Sequence, residues 1–216
     1  WQANTYSVSF DSNGGLPTVD DITVTFDGEF SVDVKPIKEG HDFNGWFDKN
    51  GVQYALPNGK CTRLWDKAED AVLHADWTVK SYEIQINDNG SVTWLKKDGI
   101  SDESCTVEFG TVFSINLVAI FKQSSAGFKA GFIFDHFEYG ESTIDWTSVP
   151  DLGENGAIVT IIPVWIRERH TIHFNALSEI VISDITALYG EEISLPTVKR
   201  DGYIFVGWYD SPYYER

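Results

Sequence analysis

The chain has 216 residues, room for one large domain or two to three small ones. A hydrophobic share of 42% and an aromatic share of 14%, with Met absent, exclude a disordered polymer and suit a strand-rich protein. Sixteen basic against 33 acidic residues leave a net charge of −17, a field that repels phosphate backbones and anionic lipid and argues against nucleic-acid or membrane-surface partners.

In chain order, Tyr6-Ser7-Val8-Ser9-Phe10 alternates apolar and polar, as a half-buried strand does. Asp11 to Gly15 contains Asn-Gly, a tight-turn signal. Ile22 to Phe26 alternates again and closes at the Asp27-Gly28 turn. Phe30 to Val34 reads as a helical turn or another extended piece, and Pro36 and Gly40 bracket a turn. The stretch Gly40 to Asp48 (Gly-His-Asp-Phe-Asn-Gly-Trp-Phe-Asp) follows as a strand. Strict alternation there puts Phe43, Gly45 and Phe47 on one face, and Asn44 and Trp46 on the other. Gly45 admits a large neighbour or a bulge. Asp48 to Gly51 is a hairpin turn, and Val72 to Trp77 a closing strand.

The Gly40 stretch returns as Gly202-Tyr203-Ile204-Phe205-Val206-Gly207-Trp208-Tyr209-Asp210, so the chain reads as a repeat array. Gly28 and Gly190 stand twelve positions before the two copies. A second unit starts at Tyr82 to Ile86 and keeps a decayed signature, Gly131 to Phe137. There His136 stands at the Gly45 position and Phe137 at the Trp46 position. An insertion of about nine residues lies around Lys122 to Ala126, and the unit closes at Ile161 to Trp165. A third unit begins at His170 to Phe174 and lacks a closing strand, as in a segment cut from a longer array. The expected units are 1–79, 80–167 (divergent, with the insertion) and 168–216 (incomplete), joined by short connections. No apolar run reaches the roughly 20 residues of a spanning helix, and the chain opens at Trp1 with no signal-peptide pattern of its own, so a mature or trimmed piece without direct membrane insertion is expected. Cys61 and Cys105 fall in different units, leaving two free thiols or one bridge between neighbours open.

Phe10-Asp11, Asn13-Gly14-Gly15, Asp27-Gly28, Pro36, Gly40 to Asp48 and Ala75-Asp76-Trp77 in the first unit resemble the internalin B-repeat family, also called the Listeria–Bacteroides repeat. Phe174, Tyr189-Gly190, Pro196 and Gly202 to Asp210 carry the same resemblance in the third unit, which lacks the Asn-Gly-Gly turn. The resemblance implies a mostly β, β-grasp-like (α+β) unit, strung in arrays on secreted or cell-wall-anchored bacterial proteins, often adhesins. It implies no enzyme, no catalytic residues, no cofactor and no metal.

The residues support little chemistry of their own. His170 and His173 at odd spacing in a strand point to opposite faces and do not share an ion. The Asp48 to Gly51 and Asp88 to Gly90 turns lack the later Glu of a calcium loop. Trp1, Trp94, Trp146, Tyr213 and Tyr214 fall outside the expected core strands and could stack on sugar rings, Trp94 and Trp146 being the ligand-binding candidates, or plug joints between units. The expected role is therefore a non-catalytic stalk, spacer and adhesion or ligand-presenting segment at the bacterial surface, with loops such as Asp48 to Lys60 as contact surface. Expected partners are neighbouring repeats and a host or bacterial surface protein or glycan. The alternative is a carbohydrate- or host-protein-binding module centred on the second unit.

Overall fold

A computed structural model describes residues 1–113, 116–176 and 180–210. Strands hold 44% of the residues and helix 4%, so the chain is mostly β. The first sheet is built from β1 (Thr5–Asp11), β2 (Ile22–Thr25), β3 (His41–Phe47), β4 (Gln53–Ala55) and β5 (Ala71–Val79). Their order is β2-β1-β5-β3-β4, with β1 and β5 parallel at its centre and antiparallel partners outside. One face of this sheet carries a core of Val8, Val24, Trp46, Trp65 and Leu73 among others.

The second sheet comprises β6 (Ser81–Asp88), β7 (Ser91–Lys96), β8 (Gly99–Ser101), β9 (Thr106–Glu108), β10 (Phe132–Tyr139), β11 (Ser142–Ile144) and β12 (Ile158–Arg167). It repeats the logic of the first: β6 runs parallel to β12, β10 is antiparallel to β12, and β9 pairs with the start of β6 as β2 does with β1. The insertion expected around Lys122 to Ala126 falls on a 3-10 turn (Ser125–Gly127) and the end of the preceding helix α1 (Leu117–Gln123). Asn116 caps it, its side chain accepting from the Ala119 amide at 2.9 Å, and Leu117, Ile120 and Phe121 sink into a separate core. A third, two-stranded sheet pairs β13 (Arg169–Ile172) with β14 (Ile185–Leu188). Single residues, Lys80 and Glu168, separate β5 from β6 and β12 from β13.

Strict alternation fails in the glycine-tryptophan strand. The β3–β5 register slips between Phe43 and Gly45, so Phe43 and Trp46 turn to the same side and meet at 5.4 Å, both buried. Gly45 takes φ +117°, and a Cβ there would stand 2.3 Å from the Ala55 carbonyl oxygen, so the bulge admits only glycine in that conformation. In β10 the slip recurs between Phe134 and His136, without a positive φ. Phe134 and Phe137 take the places of Phe43 and Trp46, 4.8 Å apart.

Two further sequence expectations change. Register places Tyr6 opposite Val24, Tyr82 opposite Val107 and His170 opposite Ala187. The left-handed residue after each second strand is thus Asp27, Gly110 and Gly190 (φ +55°, +73° and +74°), so the counterpart of Gly190 is Asp27 and not Gly28. The Asp48 to Lys60 segment is only partly a loop: it contains β4, whose Tyr54 and Ala55 are buried. In the third sheet region, Phe174 and Phe205 lie 4.8 and 5.5 Å from Trp208, close to the 4.8 and 5.4 Å of Phe10 and Phe43 from Trp46. No counterpart of β5 pairs with 203–209 among the described residues, and that stretch forms no strand.

Candidate functional site: the groove at the first boundary

The most developed polar site lies where the first sheet meets the second. A groove of about 690 Å³ is lined by Asp42, Lys80, Asp151, Gly153, Glu154 and Asn155. Asp42 comes from β3, Lys80 is the residue between β5 and β6, and the others sit on the loop before β12. Asp151 is the hub. Its Oδ2 accepts from the Gly40 amide at 3.0 Å, and its Oδ1 accepts from the Gly153 amide at 3.1 Å and from the Tyr82 hydroxyl at 2.9 Å. The Lys80 ammonium lies 3.1 Å from both oxygens. Burial opposes ionisation of Asp151, but the Gly40 and Gly153 amides, Lys80 and the Tyr82 hydroxyl outweigh it and hold the carboxyl well below its usual range. Burial, joined by the hydrogen bond to Asp151, pushes the Tyr82 hydroxyl up to about 12. Asn155 adds a clasp, its side-chain oxygen accepting from the Ser81 amide at 2.9 Å.

A second groove of about 560 Å³ runs along the first sheet past Ser7, Asp48, Lys67, Glu69, Asp70 and His74. Asp48 is buried there, accepting from the Asn50 and Val52 amides at 2.9 Å and from Lys67 at 2.8 Å. Burial alone would raise its pKa; Lys67 and the two amides bring it down to about 2. Lys67 also lies over the Tyr54 ring, whose hydroxyl donates to Asp66 at 2.5 Å. These groups tie the loop between β4 and β5 to the end of β3.

Trp94 and Trp146 are both half-buried. Trp94 lies within β7, opposite Gln85 and Ser101, rather than outside the strands. Trp146 follows β11, packs against the second core, and meets Tyr139 at 6.2 Å. Since β7 and β11 lie toward opposite edges of the sheet, the two rings do not form one platform. Trp1 is fully exposed, and Tyr213 and Tyr214 lie outside the described residues. His170 faces Glu168 at 3.3 Å and His173 faces Asp184 at 2.8 Å, so each ring has its own carboxylate. Cys61 and Cys105 are both free thiols. Sequence reasoning missed Asp151 altogether; a lone Asp in a Pro-Asp-Leu-Gly loop carries no local signal of a partner 111 residues away.

Comparison with known proteins accords with this architecture. The model of the Listeria-Bacteroides repeat domain matches residues 6–78 and 170–214, and the divergent second sheet lies between the two matches. Two proteins of Evansella cellulosilytica, named "Putative membrane protein" and "Putative Gly-rich membrane protein", are each 26% identical to the chain. The alignments cover 96% and 97% of this chain but 29% and 22% of those proteins, so the chain spans less than a third of the relatives it matches. No helix among the described residues is long and apolar enough to cross a membrane. With more than half of its residues matched in two separate copies, the chain belongs to the Listeria-Bacteroides repeat family.

Proposed function

We propose that the chain is a non-catalytic segment of a bacterial cell-surface or secreted protein, in which three β-grasp-like units act together as stalk, spacer and ligand-presenting surface. The observation that carries this reading is the continuity of the strands. β5 runs into β6 through Lys80 alone and β12 into β13 through Glu168 alone, so the units are strung without a flexible linker. The parallel central pair with antiparallel flanks, present in both larger sheets, supports the β-grasp-like reading. The charge of −17 favours a solvated exterior, and the names of the longer relatives favour an envelope location. Each unit adds length, and the loop and groove surfaces are free to vary without disturbing the cores.

The test is antibody labelling and protease shaving of intact cells that produce the parent protein. Accessibility of this segment from outside supports the reading; confinement to the cytosol overturns it. Adhesion is tested separately by pull-down against host and bacterial surface proteins and by a glycan array, where saturable binding identifies what is presented.

A further inference from the structure

One contact occurs at both boundaries in the same form. At the first, the Gly40 carbonyl accepts from the Lys80 amide at 2.9 Å, and the Lys80 carbonyl from the Phe109 amide at 2.9 Å. At the second, the Gly131 carbonyl accepts from Glu168 at 2.9 Å, and the Glu168 carbonyl from Tyr189 at 2.8 Å. Both glycines are left-handed, with φ +66° and +76°. A Cβ on Gly40 would stand 2.1 Å from ring carbons of Phe109, and one on Gly131 would stand 2.2 Å from those of Tyr189. An aromatic face therefore lies directly on bare backbone, an approach that only glycine permits. The next residue meets the same ring edge-on: His41 and Phe109 are 5.8 Å apart, Phe132 and Tyr189 6.0 Å.

The register established above makes Phe26, Phe109 and Tyr189 equivalent, each followed by a left-handed residue. Phe26 repeats the backbone bond, donating to the Asn4 carbonyl at 2.9 Å. Gly202, at φ +81°, is the third glycine of the set, and no described atom lies within 4 Å of where its Cβ would stand.

We propose that this ring-on-glycine contact is the docking interface that fixes each repeat to the next. Its partner is the aromatic-plus-left-handed turn of the following repeat: Phe109-Gly110 on Gly40 and Tyr189-Gly190 on Gly131. Phe26 with Asn4 at one end, and Gly202 with Tyr203 at the other, carry the same two halves for further repeats of this kind. One hydrogen-bonded bridging residue alone leaves rotation about its own φ and ψ; the ring seated one turn away removes it. Asp151 reinforces the first joint by holding the Gly40 amide. The proposal rests on the reading of the chain as a stalk and supplies the source of its stiffness.

The test is pulsed dipolar distance measurement between nitroxides on the whole chain. Cys61 and Lys97→Cys, with Cys105→Ser, span the first joint. Lys97→Cys and Glu192→Cys, with both native cysteines changed to Ser, span the second. The wild-type background gives a narrow distribution across each joint. Phe109→Ala and Gly40→Ala each broaden the first at least twofold and leave the second alone; Tyr189→Ala and Gly131→Ala do the reverse. Phe109→Tyr and Tyr189→Phe, which keep a ring, keep both narrow. Dispersed amide spectra of each variant show that the units remain folded, and Gly40→Ala removes no side chain from either core. Broad distributions in the wild-type background, or broadening by Asp151→Asn with none by Gly40→Ala, would overturn the ring-on-glycine joint. Either result leaves surface exposure on intact cells untouched, so the joint and the location fail separately.

Discussion

Asp151 holds the backbone amide of Gly40 at 3.0 Å across 111 residues of sequence, and in doing so clamps the first sheet to the second. The same carboxylate engages Lys80 and Tyr82, so one side chain satisfies a backbone donor, an ammonium and a phenol at the boundary.

Asp151→Ala is expected to cost about 2 kcal/mol, because it strands partly buried donors, while Asp151→Asn keeps part of the bonding and costs less. The folded-state carboxyl titrates below its unfolded value, so its contribution is present above the ordinary carboxylate range near pH 4 and fades as pH falls through the depressed pKa. Urea denaturation at pH 7 and at pH 3 checks both statements. In the Ala variant the acid loss is smaller than in the wild type.

Asp48 makes a similar prediction inside the first unit. With its pKa lowered from 3.8 to about 2, its ion pair and amide bonds contribute on the order of 2 kcal/mol at neutral pH. That stability is intact above pH 4 and lost between about pH 4 and 2. Asp48→Asn is expected to lower stability by about that amount at pH 7 and by much less at pH 2, measured by denaturant titration at the two pH values.

Gly45→Ala meets both a left-handed φ and the Ala55 carbonyl at 2.3 Å. A loss of about 3 kcal/mol or more is expected from strain and the disrupted β3–β4 pairing. Gly140, also left-handed (φ +60°) but facing open space, serves as the control; its change to Ala costs about 1 kcal/mol. Equal losses in thermal unfolding would refute the steric account.

Trp65 is fully buried and packs against Phe30 and Tyr54 at ring separations of 6.0 and 5.3 Å. Trp65→Ala should cost about 3 to 5 kcal/mol. Trp65→Phe should cost distinctly less, and chemical denaturation orders the two. Trp146→Ala, which removes a half-buried ring, is expected to fall below Trp65→Ala.

The alternating strands at Tyr6 to Phe10, Ile22 to Phe26 and Tyr82 to Ile86, and the return of Gly40 to Asp48 at Gly202 to Asp210, were legible in the residues alone. Local spacing, turn chemistry and recurrence write such features directly into the chain. They identified the family and several of the strands along the chain. The burial of Trp65 was not legible, because it sits in an irregular segment with no periodicity to read. The side on which Trp46 lies was not legible either: a single bulged residue at Gly45 reverses the alternation on which such a reading depends. Trp94 and Trp146 stood out by residue type, yet only the sheet order put them toward opposite edges. Asp151, the rings of Phe109 and Tyr189, and the glycines beneath them have meaning only once β5 turns into β6 and β12 into β13. Contacts between sequence-distant groups depend on how strands pair in space, and pairing is a property of the folded sheet that no stretch of this chain encodes by itself.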